Sequence, residues 1–250
     1  MKPSGITSKL FAKYTNVVCC VSTRIGRVSL LLFDMNLSFH VGDNPENVKE
    51  NRNRFFGSLG IDQRTLAIPG QVHGDSVLQV FTEGEYPSCD ALITQRQELY
   101  LVVSIADCLP IFLYDPETKS IAAVHTGWRG SKAKILSKTI EELSGKLNVQ
   151  PEHLIAFVGP SAGVCCYEVG DEVAQEFPEQ FVKQKGGAKP HLDLKEYNKS
   201  LLLSAGVLEQ NIEVSDYCTI CNPELFHSYR RDGNKSGRMM GVIGMKSKEY

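Results

Sequence analysis

Residues 101–125 read LVVSIADCLPIFLYDPETKSIAAVH, and this segment predicts three consecutive β-strands. Its apolar runs are short and rich in β-branched residues, which favours strands over helices. Pro110 predicts a bend after the first strand, and Asp115-Pro116-Glu117-Thr118 has the residues preferred in a type I turn. The segment is therefore expected to contain one strand, a bend, and then a hairpin.

The predicted hairpin places a thiol beside an imidazole. If its strands pair symmetrically about the bond between Pro116 and Glu117, Cys108 lies opposite His125. Cross-strand neighbours have Cβ atoms roughly 4.5–5.5 Å apart, a separation that one ion can bridge with a Zn–S bond near ~2.3 Å and a Zn–N bond near ~2.0 Å. A bend at Pro110 would shift this register by one or two residues.

These two residues have the chemistry of a metal site. A thiolate with imidazoles suits zinc, and copper binds the same ligands in vitro. Three protein ligands would leave one position open, which is typical of a catalytic zinc that lowers the pKa of a bound water to about 7. Spacing does not identify the third ligand, but His73 lies in the turn-rich stretch Pro69–Gly74 and is a candidate. A small buried side chain that only packs is the alternative for Cys108.

The residues after His125 predict a binding loop. Thr126-Gly127-Trp128-Arg129-Gly130 places a tryptophan and an arginine between glycines, a composition found in loops that bind ligands. Arg129 directly precedes a helix predicted from Ser131, so we expect it to meet an anion together with the helix N-terminus.

The rest of the chain predicts an α+β protein with one domain over residues 1–250. Further short apolar runs predict strands at Val17–Thr23, Val28–Phe33, Val77–Phe81, Ile155–Val158 and Met239–Ile243, and helical periodicity predicts helices at Pro45–Leu59, Ser131–Leu147, Asp171–Phe177 and Asp193–Ala205. Consecutive strands without intervening helices favour mixed β-sheets in a layered sandwich with outer helices, and no Gly-rich phosphate loop is present.

The composition and net charge argue against some classes of binding partner. With 27 Lys and Arg against 29 Asp and Glu, the net charge of −2 gives no positive field for a nucleic acid or an anionic membrane. No signal peptide or membrane span is seen in the sequence, so we expect a cytoplasmic protein that is a monomer or a homodimer. Its eight cysteines are then expected to be reduced thiols.

Several motifs in order along nearly the whole chain resemble a known family, the laccase-domain or polyphenol-oxidase-annotated proteins now described as zinc-dependent purine nucleoside phosphorylases. The motifs that carry this resemblance are Ser22–Arg24, Asn36–Asp43, Gln71–Gly74, Asp90–Leu92, Ala106–Cys108, His125–Gly130, Gly159–Gly170 and Cys218–Arg238.

The resemblance implies a fold and a metal site. The fold would be a sandwich of central sheets and outer helices, similar to the catalytic domain of cytotoxic necrotizing factor. The family's metal ligands fall on His73, Cys108 and His125. Three departures, namely Arg27, Ser38 and Thr126 in place of the commoner Gly, Gly and Ala, leave these ligands in place.

The resemblance also implies an activity. Such an enzyme cleaves adenosine, inosine or S-methyl-5'-thioadenosine with phosphate, and it deaminates adenosine. Cys108, His125 and Arg129 are the expected catalytic residues, with phosphate held by Arg129 and Arg24. Further expected substrate contacts are Asn36, Asp107 and Arg230.

Other motifs have weaker signals. Cys218-Thr-Ile-Cys221 has zinc-ribbon or redox spacing, but no second Cys pair or thioredoxin context accompanies it, and it is interpreted as structural or pocket-lining. Cys165-Cys166 either borders the substrate or packs. His40 is expected to be a hydrogen-bonded structural residue, with an approach to the metal site as the alternative, and His153 and His191 are expected at the surface.

Three other functions stay open. A copper-dependent phenol oxidase fits poorly, because six histidines are too few for a multicopper centre. A cysteine hydrolase would use Cys108 as nucleophile and His125 as base, for example on cell-wall precursors. A non-enzymatic metal-binding or partner-binding protein is the third.

Overall fold

The computed structural model describes residues 4–26, 33–184, 186 and 189–247. In this part of the chain the strands are β1 Gly5–Thr7, β2 Val17–Ser22, β3 Leu66–Pro69, β4 Val77–Gln79, β5 Gly84–Tyr86, β6 Ala91–Thr94, β7 Tyr100–Ile105, β8 Leu109–Asp115, β9 Ser120–Thr126, β10 Ile155–Val158, β11 Val182–Lys183, β12 His191–Leu192, β13 Ile212–Val214 and β14 Met239–Met245. The α-helices are α1 Pro45–Ser58, α2 Trp128–Lys132, α3 Ile135–Leu147, α4 Asp171–Ala174, α5 Leu194–Ser204 and α6 Tyr229–Asp232. Short 3-10 turns occur at Phe11–Lys13, Gln63–Thr65, Pro151–His153, Glu179–Phe181, Glu209–Asn211 and Gly233–Lys235.

The strands form two mixed six-stranded sheets. The first has the order β1-β2-β14-β7-β3-β5 and the second has the order β13-β10-β8-β9-β6-β4, while β11 and β12 pair separately. Most neighbours are antiparallel, but β3 is parallel to β5 and β7, β4 to β6, and β10 to β13. The predicted α+β class with mixed sheets is confirmed.

The alternation of side chains along each strand builds four layers. In β8, Phe112 and Tyr114 belong to the core between the two sheets, whereas Ile111 and Leu113 face the helices α3 and α5. Because both faces of these strands are buried, they read as continuous apolar runs in the sequence. The first sheet is covered on its outer side by α1, through Phe55 and Phe56.

The helices begin and end for local reasons. The side chain of Asn44 accepts a hydrogen bond from the Glu46 N–H at 2.9 Å, and Pro45 starts α1, as predicted. The single helix predicted over Ser131–Leu147 is wrong, because Lys134 adopts φ +58° and separates α2 from α3. Among the described residues, no helix is long and apolar enough to cross a membrane.

The hairpin of β8 and β9 forms with a register two residues from the predicted one. Pro110 lies inside β8 and pairs with His125, and Asp115 pairs with Ser120. The turn is therefore a four-residue loop, in which Asp115 accepts hydrogen bonds from the Glu117 N–H and the Thr118 hydroxyl and Lys119 adopts φ +54°. The prediction of a bend at Pro110 and of direct pairing between Cys108 and His125 is wrong. Cys108 instead directly precedes β8.

Most other strand predictions are confirmed to within two residues. The strands that were not predicted have two to four residues each, and they are β1, β3, β5, β6, β11, β12 and β13. Only Asp171–Ala174 is helical within the predicted Asp171–Phe177 helix. Five of the six residues of the strand predicted at Val28–Phe33 lie outside the described residues.

Candidate metal centre

His73 is presented by a tightly held loop between β3 and β4. Gln71 and His73 both have positive φ, at +57° and +61°. The Gln71 side chain exchanges two hydrogen bonds of 2.7 Å with the main chain of Ser104, and the Asp90 carboxylate accepts the N–H groups of His73 at 3.0 Å and Gly74 at 2.9 Å. These bonds fix the loop from both sides, so His73 has a defined position despite lying outside a strand.

Cys108 occupies the sharp turn between β7 and β8. Asp107 adopts φ +86°, a conformation that an ordinary residue keeps only when its surroundings hold it. Its carboxylate accepts hydrogen bonds from the hydroxyl of Thr219 at 2.7 Å, the hydroxyl of Ser228 at 3.0 Å and the main-chain N–H of Arg230 at 2.7 Å. The turn that carries Cys108 is thus anchored to the C-terminal part of the chain.

His125 is the buried member of the group. Its ring is 3% exposed, and its Nδ1 lies 2.9 Å from the Asp90 carboxylate. A carboxylate only accepts, so Nδ1 donates and Nε2 is left as the acceptor that faces the other ligands. A carboxylate behind a ligating histidine fixes its tautomer and orientation, and it is a regular partner of metal-bound imidazoles.

The three side chains converge on one point. One donor atom from each of His73, Cys108 and His125 lies within 4.8 Å of the other two. The Cys108 Sγ is 3.9 Å from the His73 Nε2, which is less than the ~4.4 Å spanned by a Zn–S and a Zn–N bond end to end. The two imidazole rings are nearly perpendicular, with centroids 5.0 Å apart. These residues can therefore hold one metal ion.

The electrostatics of the group favour the ligand form of the thiol. Burial raises the pKa of Cys108, but the charge and hydrogen bonds of His125 and His73 outweigh it and lower that pKa to about 6. Burial lowers the pKa of His125, but Cys108 and Asp90 raise it to about 9. Burial raises the pKa of Asp90, and hydrogen bonds from His125, Gly74 and His73 bring it below its usual value. Between these two pKa values the centre is a Cys108 thiolate beside a protonated His125 ring.

A cavity of about 810 Å³ opens onto this centre. That volume is within the usual range for small-molecule sites. Its walls come from the loop over residues 38–41, from β3 and β7, and from the segment before β14. The lining residues are Ser38, Phe39, His40, Val41, Arg52, Ile68, Pro69, Gly70, Gln71, His73, Glu85, Pro87, Ser104, Ala106, Cys108, His125, Tyr229, Asn234, Arg238 and Met240.

Two arginines that the sequence analysis missed line the cavity. Arg52 donates from Nε to the Leu37 carbonyl at 2.7 Å, and its guanidinium lies 4.5 Å from the ring centroid of Phe39. Arg238 is held by the carbonyls of Ser236 and Gly237. Burial lowers the pKa of both guanidinium groups, which still remain charged at neutral pH. The sequence offered no local signal for them, because each is a single charged residue in an ordinary context.

The predicted substrate residues have other positions. Asn36 is fully buried; its side chain bonds the main chain of Ser38 and Arg238 and the carboxylate of Asp43. Asp107 anchors the Cys108 turn, as described above. Neither side chain lines the cavity, so each can act on a substrate only by positioning its neighbours.

The three predicted cations are also outside the lining of the main cavity. Arg24 donates to the Pro223 carbonyl at 3.0 Å and lies 3.8 Å from Asp34. The Arg129 guanidinium stacks 4.4 Å from the ring of Trp128 at the protein surface. Arg230 lines a smaller adjoining cavity of about 290 Å³, where it donates to the Glu168 carbonyl at 3.0 Å. Their roles in binding phosphate or substrate stay predictions.

The exposure of the remaining histidines differs in part from the prediction. His40 is exposed and lines the cavity, and His153 is exposed on the surface. His191 is not at the surface: it is 5% exposed, and its Nδ1 lies 2.8 Å from the Val164 carbonyl. Burial and the charge of Arg24 lower the pKa of His227 to about 4.

A group of two histidines and a cysteine that lines a cavity has the donor atoms to hold a metal ion. The chain belongs to the family described as multi-copper polyphenol oxidoreductase laccase, whose model matches residues 18–246. The family description mentions several copper ions, whereas these three donor atoms suffice for one ion.

Individual relatives support the family assignment over most of the chain. A Bacillus subtilis (strain 168) protein named purine nucleoside phosphorylase YlmD is 32% identical over 247 residues, which cover 92% of this chain and 89% of that protein. A protein of an unknown prokaryotic organism named adenosine deaminase RL5 is 33% identical over 255 residues, with 94% and 97% covered. The crystal structure of the Bacillus licheniformis hypothetical protein YfiH superposes with a TM-score of 0.90 at 31% identity, covering 98% of this chain and 97% of that one.

Proposed function

We propose that this chain is a zinc-dependent purine nucleoside phosphorylase that cleaves adenosine, inosine and S-methyl-5'-thioadenosine with phosphate, and that it also deaminates adenosine. The observation that carries the proposal is the His73–Cys108–His125 centre at the base of a cavity that also holds Arg52 and Arg238. The names of the relatives point to the same chemistry. The enzyme would be a single-domain cytoplasmic protein, monomeric or homodimeric.

Zinc is the proposed ion because the donor set fits it. Two imidazoles and one thiolate are borderline-soft ligands, and His125 has the carboxylate partner that zinc-binding histidines regularly have. Three protein ligands leave an open position, as in catalytic zinc sites. When bound, zinc would supply a Lewis acid that polarises an oxygen or activates water.

The protein's own groups would position the substrates. Phosphorolysis transfers the ribosyl carbon from the purine nitrogen to a phosphate oxygen, and the base leaves with a proton. Arg52 and Arg238 would bind the phosphate, since both line the cavity and a guanidinium group matches phosphate in geometry and charge. Phe39 and Tyr229 are 45% and 51% exposed at the cavity, which leaves aromatic faces for the purine to stack on. Positioning and charge would provide most of the rate enhancement.

The direct test is an assay with inosine and inorganic phosphate. Zinc-loaded protein should release hypoxanthine and ribose 1-phosphate, and the products should not form without phosphate. Adenosine in phosphate-free buffer should yield inosine and ammonia. The control His153→Ala changes a surface histidine and should leave both reactions unchanged. Absence of any phosphate-dependent product would refute the phosphorylase.

A specific arrangement favours one second candidate, a cysteine hydrolase. Cys108, His125 and Asp90 form a chain of thiol, imidazole and carboxylate, which is the order of a nucleophile, a base and its orienting group. In that case Cys108 would act as a nucleophile and the enzyme would stay active after complete removal of metal. The phosphorylase should lose its activity on chelation and regain it with zinc.

A further inference from the structure

A second group of sulfur ligands lies outside the cavity. It consists of Cys165, Cys166, Cys218 and Cys221, and we refer to it as the four-cysteine cluster. All four Sγ atoms lie within 4.8 Å of one another, with Cys165 at 3.3 Å and Cys166 at 3.0 Å from Cys221. A disulfide requires ~2.05 Å, whereas sulfurs around one tetrahedral zinc are about 3.8 Å apart for Zn–S bonds of ~2.3 Å. The cluster is therefore an assembly of four sulfurs with the dimensions of a single-ion site.

The sheet topology explains how the two pairs meet. Strands β10 and β13 are parallel neighbours, so the loops that follow them leave the same edge of the sheet. Cys165 and Cys166 lie in the first loop, and Cys218 and Cys221 lie in the second. The loops are joined by a bridge between Ser161 and Cys218. The CxxC motif thus has its second cysteine pair after all, about fifty residues upstream.

The backbone is shaped around the sulfur of Cys218. The Gly163 N–H donates to this Sγ at 3.2 Å, and the N–H groups of Ile220 and Cys221 also donate to it. A Cβ on Gly163 would lie 3.1 Å from the Cys218 Cβ and 3.3 Å from the Cys165 Sγ, so a side chain there would crowd the cluster. Three main-chain donors around one sulfur stabilise a thiolate, which is the form that binds metals.

A buried cation adjoins the cluster. Lys195 is 9% exposed, and its ammonium group donates to the carbonyls of Ser215 at 2.6 Å and Tyr217 at 2.7 Å. Among the negatively charged groups near Lys195, Cys218 favours its charged form most, followed by Asp193 and Asp216. Burying a lysine is costly unless negative charge is near. Four thiolates around a divalent ion carry a net charge of −2, which would provide it.

We propose that the four-cysteine cluster binds one Zn²⁺ as a closed structural site, separate from the cavity. The cysteines that are still protonated would release their S–H protons to solvent as four S–Zn bonds form, with no change in oxidation state. Four protein ligands fill the tetrahedral coordination of zinc, as in other all-cysteine structural sites.

The site would join two loops that contact Asp107 and Arg230 beside the Cys108 turn. Thr219, next to Cys218, donates its hydroxyl to Asp107, and Asp107 holds the turn with Cys108. The other loop contains Tyr167 and Glu168, whose ring and carbonyl contact the Arg230 side chain. Zinc at the cluster would therefore stabilise the support of Cys108 without contacting a substrate.

The test is the zinc content of protein purified without oxygen, measured by elemental analysis. Wild type should contain about two ions per chain, whereas Cys221→Ser and Cys108→Ala should each contain about one, because each change disrupts a different site. The matched control is Cys20→Ala, a buried thiol on β2, which should keep about two ions. With Co²⁺ in place of zinc, Cys221→Ser should remove most of the thiolate-to-metal absorption and Cys108→Ala a smaller part.

Thiol protection gives a measurement that needs no variant. Cys165 and Cys221 are exposed, so a thiol reagent should modify them faster in metal-free protein than in the zinc form. The proposal is overturned by any of three results: zinc content unchanged in a folded Cys221→Ser, iron in place of zinc, or a disulfide between Cys166 and Cys221 in freshly purified protein. Rapid modification of the exposed thiols in zinc-loaded wild type would overturn it even if Cys221→Ser did not fold.

Discussion

The His73–Cys108–His125 centre and the four-cysteine cluster differ in ligand number, in ligand type and in surroundings. The first has three mixed ligands beside a cavity of about 810 Å³, and the second has four thiols between two loops. An ion in the first would keep an open coordination position, whereas an ion in the second would have none. The His73–Cys108–His125 centre therefore has the features of a catalytic metal site, and the four-cysteine cluster has those of a structural one.

The support behind the ligands differs in the same way. In the centre, a carboxylate orients one imidazole and main-chain contacts fix the loop of another, so each ligand has its own partner. In the cluster, main-chain N–H groups surround Cys218, and the other sulfurs contact each other. The ligands of the centre are thus held by other groups of the protein, whereas three of the four cluster sulfurs are held mainly by one another.

The largest expected effect comes from removing a ligand of the centre. Cys108→Ala should lower kcat/KM for phosphorolysis by at least about 100-fold, because losing a ligand should cost more than losing the group that orients one. Cys221→Ser should retain activity to within about fivefold after zinc is added, since it lies outside the cavity. Steady-state assays at matched zinc content test both. Equal losses in the two variants would remove the distinction between the sites.

The next effect concerns the carboxylate behind His125. Asp90→Asn should weaken zinc binding at the centre by about 10- to 100-fold, because an amide lacks the charge that favours the Nδ1 proton donor and can impose the other tautomer. The affinity can be measured by competition with a chromogenic chelator. Asp62→Asn, an exposed change of the same charge, should have no effect. The zinc of the cluster should be retained in both variants.

The two sites should also differ in pH dependence. The pKa of Cys108 is lowered to about 6 and that of His125 is raised to about 9, so between these values the proton lies on His125 and zinc must displace it. Zinc affinity at the centre should therefore rise about tenfold per pH unit from 6 to 9 and level off above. The cluster must lose more protons and should show a steeper rise. Competition titrations with zinc on Cys221→Ser measure the pH dependence of the centre, and those on Cys108→Ala measure the pH dependence of the cluster. A zinc affinity of the centre that does not change with pH would contradict the assignment of the proton to His125.

The smallest effects should come from the cations. Arg238→Ala should raise the KM for phosphate by about tenfold, because a phosphate contact to an arginine is a charge-assisted hydrogen bond. Arg129→Ala should change it by less than about twofold, since Arg129 stacks on Trp128 outside the lining of the cavity. Initial rates at varied phosphate measure both. The reverse order would restore Arg129 as the phosphate ligand predicted from the sequence.

The hairpin shows how far pattern alone reaches. The true register differs from the symmetric one by two residues, and a shift of two keeps every side chain on the same face of the sheet. That rule covers Pro110 and His125 but not Cys108, which lies in the turn before β8. The prediction that Cys108 and His125 are close was right although the pairing was wrong, because the turn at Asp107 brings Cys108 to His125.

Sequence patterns were enough to predict the α+β class, the positions of the main strands and α1, and the three candidate ligands, two by local pattern and His73 by family resemblance. They were enough because strand periodicity, turn residues and ligand chemistry are local properties. Only the tertiary structure placed Asp90 behind His125, put Arg52 and Arg238 in the cavity, and joined Cys165 and Cys166 to Cys218 and Cys221. Those partners come from strands and loops far apart in the chain. Their proximity depends on which strands are neighbours, and no spacing along the sequence records it.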